Sequence, residues 1–211
     1  MKTITLRPYC EANRNSEANR NSEAVEKFKI QVQAEIESGV LKINFLIEDP
    51  QRKMDSFYPP LSQDLNLLKQ TTFDRSYQMD ELWKKTCFEF FVKKQNQEKY
   101  FEFNVNTLGN WNFYKFVKYR SPIQIEDKIQ KIRYSFIPAR NYSYDLSSSG
   151  VSKLAIEIDL NPLFKVGDEL EFNFCSIIVC EEQITYWSQQ HSLEKPDFHD
   201  SNNFTIYQKM K

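Results

Sequence analysis

The amino-acid sequence predicts an all-β fold, an antiparallel β-sandwich of about ten strands with few short helices, and three observations carry that expectation. Aromatic residues make up 15% of the 211 positions, with 17 Phe and 11 Tyr against 4 Gly, a composition suited to pleated, half-buried surfaces. Segment after segment alternates apolar and polar side chains with the period of two that sends successive strand residues to opposite faces. Between these segments stand Asn, Asp, Ser and Pro, which turn a chain without recourse to glycine. A barrel is the alternative architecture for the same pattern. A chain of this length is expected to form one domain, residues 1–211.

The first strand is read at residues 1–7, where Ile4 and Leu6 alternate with Thr3 and Thr5 before Pro8. Residues 11–24 nearly repeat the hexapeptide EANRNS twice; they hold no apolar residue larger than alanine and are expected to form a solvated, mobile loop. Residues 28–36 are the most regular strand, with Phe28, Ile30, Val32, Ala34 and Ile36 on one face and Lys29, Gln31, Gln33 and Glu35 on the other. Ser38-Gly39 turns the chain into a hairpin partner carrying Leu41, Ile43, Phe45 and Ile47, stopped by Asp49-Pro50. Residues 51–79 keep no period and read as a long connection, with a helical turn at 64–69, that borders whatever site Trp83 introduces.

Residues 80–120 hold the densest run of strand-forming aromatics. At 86–93, Phe88, Phe90 and Val92 face opposite to Cys87, Glu89 and Phe91; at 100–107, Phe101, Phe103 and Val105 face opposite to Tyr100, Glu102, Asn104 and Asn106. The polar stretch 94–99 makes these two a hairpin, and Leu108-Gly109-Asn110 turns into a third strand at 111–119 that carries Tyr114. A meander of the three gathers Glu89, Glu102 and Asn104 on one polar face with Trp83 at its entrance. Further strands are expected at 131–137, 153–160, 169–180, 183–188 and 204–209, with a polar loop at 141–150 and a helical turn at Asn161-Pro162-Leu163-Phe164. The run Ile177-Ile178-Val179, apolar on both sides, suits a central strand covered on both faces.

Leu82-Trp83, Thr86-Cys87-Phe88-Glu89, Glu102-Phe103-Asn104, Gly109, Trp111 and Tyr119-Arg120 form one motif block, and Tyr186-Trp187, His191, Lys195-Pro196-Asp197-Phe198-His199 and Phe204 a second. Together they resemble the DOMON-like ligand-binding proteins of bacteria, which are related in fold to family-nine carbohydrate-binding modules. The resemblance implies a β-sandwich that binds a small carbohydrate or related polar ligand without catalysis. It places Trp83 at the position of a sugar-stacking aromatic and makes Phe198, where the pattern expects Trp, the counterpart of the second; Trp187 matches the motif alone.

The ligand-binding residues expected on these grounds are Trp83, Glu89, Glu102, Asn104, Tyr114, Trp187, Lys195, Asp197, Phe198 and His199, with the loop at 188–203 folding over the polar face. Indole rings pack on the C–H faces of sugars, while Glu and Asn supply the acceptors and donors that hydroxyl groups need. Read as bare residues, the tryptophans also suit a core and the histidines a loop hydrogen bond. No catalytic residue, metal or cofactor is assigned. Two rivals stay open: an enzyme acting on a sugar or nucleotide-sugar through Glu89 or Glu102 with His199, and a haem site using His191, His199 or Met79.

A balance of 28 basic against 29 acidic residues, net −1, gives no field to recruit nucleic acid or an anionic membrane, so neither is an expected partner. Four cysteines, Cys10, Cys87, Cys175 and Cys180, lack zinc spacing and read as free thiols. With no apolar leader and no run of about 18 apolar residues, the expected location is the cytoplasm. Nucleophile elbows, P-loops and dinucleotide glycine motifs are absent from the sequence.

Overall fold

A computed structural model describes residues 2–9, 28–49, 77–137, 139, 151–180 and 183–211. The repeat at 11–24, Cys10, the helical turn expected at 64–69, most of the connection at 51–79 and the loop at 141–150 lie outside the described residues. The strands are β1 (Lys2–Pro8), β2 (Lys29–Glu37), β3 (Val40–Glu48), β4 (Cys87–Lys94), β5 (Tyr100–Val105), β6 (Trp111–Phe116), β7 (Gln124–Ile125), β8 (Arg133–Ile137), β9 (Val151–Asp159), β10 (Glu169–Cys180), β11 (Gln183–Ser188) and β12 (Ile206–Lys209). Of these only the two-residue β7 has no counterpart in the sequence reading, being too short for a period to register.

All strand pairs are antiparallel, in the order β7-β6-β5-β4-β10-β11-β1-β2-β3-β9-β8, with β12 added to β10. The curl of this path into two layers turns on β1. Its first part, Lys2 to Leu6, pairs with β2, whereas Arg7 and Pro8 pair with Ser188 and Trp187 of β11. One layer is therefore β1-β2-β3-β9-β8 and the other β7-β6-β5-β4-β10-β11. The end strands β7 and β8 do not pair, so the described residues form a sandwich and not the closed barrel that the pattern also allowed.

Period-two alternation supplies the core from both layers. Ile30, Val32, Ala34 and Ile36 of β2 and Leu41, Ile43, Phe45 and Ile47 of β3 meet Phe88, Phe90 and Val92 of β4 and Phe101, Phe103 and Val105 of β5. Phe45 and Phe88 touch across the layers with ring centroids 5.0 Å apart, and Phe90 stacks on Phe103 at 5.1 Å. The turns that set these registers follow from local chemistry. Ser38 (φ 50°) and Gly39 (φ 78°) both take the left-handed conformation that a two-residue hairpin needs, and Asn106 Oδ1 accepts from the N–H groups of Leu108 and Asn110, both at 3.0 Å. Gly109 (φ 83°) leaves room for the Tyr134 ring, whose hydroxyl donates to the Leu108 carbonyl at 3.1 Å and ties β8 to the β5–β6 turn.

Phe103, 1% exposed and ringed by Phe90, Trp111 and Phe113, is a central member of this core. Phe103→Ala is expected to cost roughly 3–5 kcal/mol in urea unfolding, against about 0.5 kcal/mol or less for Val117→Ala at an exposed position.

Candidate ligand-binding site

The outer face of the second layer cannot be left to water, because β4, β5 and β10 carry apolar side chains there too: Phe91, Tyr100, Cys175 and Ile177 are all buried. Among the described residues two segments do most of the covering, beside Arg120, Ser121 and Ile123 of the β6–β7 connection. The first is a 3-10 turn at Leu82–Lys84, entered through Glu81 in the left-handed conformation (φ 58°) and anchored by the buried Leu82. It sets Trp83 edge-on against Tyr114 of β6, centroids 5.5 Å apart, while the Tyr114 hydroxyl donates to Asp80 Oδ1 at 2.5 Å.

The second cover is the loop between β11 and β12. It is held where β10 changes partner: residues 175–180 pair with β11, residues 169–172 with β12, and Asn173 and Phe174 fall between. Gln189 fills that gap, accepting from the Phe174 N–H and donating to the carbonyls of Phe172 and Asn203. Buried Asn173 donates to the Phe198 carbonyl (3.0 Å) and accepts from Ser188 Oγ (3.0 Å), and buried Asn203 donates to the Asp197 carbonyl (2.8 Å). These bonds fix where Phe198 and His199 project.

Between the two covers lies a cavity of about 350 Å³. Aromatic walls come from Trp83, Phe91, Phe116, Tyr186 and Phe198; the polar groups are Glu89, Glu102, Arg120, Ser121 and His199. Glu89 and Glu102 project from adjacent strands at diagonal positions, because Glu89 pairs with Asn104 and Phe91 with Glu102. Glu89 is 2% exposed with Oε1 unpartnered, and Glu102 is 5% exposed with Oε1 accepting from Asn104 Nδ2 at 2.7 Å. Burial, reinforced by Glu102, pushes the Glu89 carboxyl well above the usual range; burial raises Glu102 to about 7, opposed by the Asn104 hydrogen bond and the Arg120 charge.

His199 Nδ1 lies 2.8 Å from the Tyr100 hydroxyl, which already accepts from the Arg120 N–H at 3.2 Å. With the hydroxyl assigned as donor to Nδ1, the ring's own N–H is at Nε2, 3.8 Å from Glu102 Oε2. That short approach is not an ion pair at neutral pH: burial, aided by the Arg120 charge, lowers the imidazole to about 4. Burial also pushes the Tyr100 phenol up to about 12. Arg120 takes a left-handed backbone (φ 46°) and donates from Nη2 to Asp197 Oδ1 at 2.9 Å, while Tyr119 donates to Asp197 Oδ2 at 2.6 Å. The carboxylate of Asp197 is held below its usual range by the Tyr119 and Arg120 bonds, against the opposing effect of burial.

Of the residues expected from sequence, the structure brings Trp83, Glu89, Glu102, Phe198 and His199 to the cavity wall. Asn104 stands behind Glu102, and Tyr114 supports Trp83. Asp197 clamps the loop through Arg120 and Tyr119 rather than lining the cavity, and Lys195 is exposed outside it. Trp187 must be corrected: it is 2% exposed in the core between the layers, with Nε1 donating to Thr185 and Phe28 against its ring, because odd positions of β11 face inward. The lining also includes Phe91, Phe116, Arg120 and Tyr186, absent from the sequence expectation. Strand parity with Glu89, Tyr114 and Ser188 would have put the first, second and fourth of these on the same face; Arg120 arrives on a loop.

Fold and cavity define a β-sandwich with a part-open, part-aromatic, part-acidic cleft on the outer face of one layer. No family model matches the chain, and no curated protein matches it. Among solved structures it is similar to a Bacteroides uniformis protein described as a candidate carbohydrate-binding protein, with a TM-score of 0.57 and 15% identity over 95% of this chain and 84% of that one. At that identity the likeness is one of fold.

Raised carboxyl values mean that the folded protein holds protons the unfolded chain has released, so stability falls as pH rises from about 4.3 through the folded value. His199, lowered to about 4, acts oppositely below its unfolded value of about 6.5, leaving the carboxyl effect alone above it. The melting temperature is expected to fall between pH values of about 6.5 and 8, with Glu102 accounting for roughly 3–4 kcal/mol over its whole range. Glu102→Gln should be more stable than wild type at about pH 8 and lose much of this slope; parallel profiles would rule out a buried, raised carboxyl.

Proposed function

We propose that the protein is a non-catalytic binder of a small carbohydrate or related polar ligand, of the DOMON-like type related to family-nine carbohydrate-binding modules, and that the cavity is its site. One observation carries the reading: buried Glu89, with Oε1 unpartnered, stands on the floor of a cavity of about 350 Å³ whose walls are aromatic. A buried acceptor without a donor is costly unless a ligand supplies one, and ring faces offer contact area to the C–H faces of a sugar. Trp83 and Phe198 provide such faces; Glu89, Glu102, Ser121 and His199 provide the hydrogen bonds that orient hydroxyls. The fold-level likeness to a candidate carbohydrate-binding protein supports the same reading.

The enzyme alternative draws on one specific feature, the Glu102 carboxyl near 7, which suits general acid–base work. Burial among aromatic strands produces the same shift in a binding site, so turnover of a bound sugar is what separates the two. The haem alternative loses its ligand geometry: His191 bonds the Arg7 carbonyl and packs on Tyr9, whereas His199 packs against Tyr100, Phe91 and Phe116 inside the cavity.

Trp83 is the half-buried member of three tryptophans, the other two lying in the core, so ligand contact is read through its fluorescence. A glycan screen followed by fluorescence titration should find a sugar that changes the emission. Trp83→Ala should weaken that sugar by about tenfold or more while changing the melting temperature less than Phe103→Ala. No binding across a broad panel of mono- and disaccharides would remove the carbohydrate reading.

A further inference from the structure

The geometry points to a cationic ligand: we propose that the cavity selects a molecule bearing a protonated amino group, an amino sugar within the carbohydrate reading on which this rests, with the ammonium held between Glu89 and Glu102. A neutral sugar can hydrogen-bond to the two carboxyls but brings no charge to balance them. They occupy diagonal positions on β4 and β5, buried side by side, and each repels ionisation of the other. Among the described residues no lysine or arginine forms an ion pair with either. The Arg120 guanidinium eases Glu102 through space but is bonded to Asp197 and forms no ion pair with either carboxyl.

The other groups facing the pair supply no compensating charge. From β4 and β10 come the buried thiols of Cys87 and Cys175, the latter with Sγ 4.0 Å from Glu89 Oε2. From β5 come Asn104, already donating to Glu102, and the Tyr100 phenol; from the covering loop comes His199, neutral at neutral pH. An ammonium brings three donors to the unpartnered Glu89 Oε1 and to Glu102 Oε2, and carries the missing positive charge. Charge-assisted hydrogen bonds are roughly twice as strong as neutral ones, and the surrounding Trp83, Phe91, Phe116 and Tyr186 rings add cation–π attraction. Binding then ionises the carboxyls and releases protons, the reverse of what a neutral ligand bonded to protonated carboxyls would do.

Calorimetry on the full chain decides this, with glucosamine, N-acetylglucosamine, glucose and cyclohexylamine as probes at about pH 5 and about pH 7. Glucosamine is expected to bind about tenfold or more tighter than the two neutral sugars, tighter at the higher pH, with protons released to the buffer. Glu89→Gln should erase that preference without lowering the melting temperature at about pH 7, since it removes a buried acid; if it does not fold, Glu102→Gln serves the same purpose. Equal or tighter binding of a neutral sugar, or affinity that falls as pH rises, overturns the cationic selection and leaves the carbohydrate reading standing. Binding of cyclohexylamine with no sugar bound supports the cation site and overturns the carbohydrate reading. Failure of both amines to bind overturns the proposal, and the wider glycan screen then judges the carbohydrate reading by itself.

Discussion

Strands β4, β5 and β10 are buried on both faces, and that single constraint organises the molecule. Their inward residues, Phe88, Phe90, Phe103, Phe172 and Phe174, need the second layer that β2, β3 and β9 provide. Their outward residues, Phe91, Tyr100 and Ile177, need a second cover, which no sheet among the described residues supplies. The cover is made instead from a short turn at one side and the β11–β12 loop at the other. Because loops do not pack as closely as sheets, a cleft is left between them. The place where β10 exchanges β11 for β12 is also the place where Asn173 and Gln189 hold that loop, so the topology of the sheet and the position of the cleft have one origin.

The electrostatics of the cleft follow from the same burial. Glu89 stands between Phe88 and Phe90 in sequence but on the opposite face from them, where desolvation outweighs every stabilising contact it makes. Glu102 is eased by Asn104 and by Arg120, yet burial still prevails. On the loop side the order of charge is tighter. Asp197 accepts from Tyr119, Arg120 and the His199 N–H, which anchors the loop's charge outside the cleft and leaves a neutral imidazole inside it. The cleft thus presents acceptors and rings, while its one guanidinium is committed elsewhere.

Much of this was legible in the chain itself. Alternation over residues 86–93 and 100–107 assigned each side chain of β4 and β5 to the correct face, because a period of two is enforced by the backbone and owes nothing to distant residues. The same rule, applied to β11, would have sent Trp187 inward; motif likeness pointed the other way, and the inter-layer core has it. Period says nothing about two-residue strands or about loops, which is why β7 and the cavity-side place of Arg120 went unread.

What the sequence determined by itself was therefore the strands other than β7 and their faces, since each rests on local pattern, whereas the expected convergence of Trp83, Glu89, Glu102, Phe198 and His199 drew on the motif resemblance. Only the tertiary structure decided that Asp197 is a clamp, that Lys195 is exposed and that Glu89 Oε1 lacks a partner. These depend on which loop side chain reaches which strand across a hundred residues of chain, and on how far water is excluded between them. Burial and electrostatic environment are properties of the assembled surfaces, and no local period encodes them.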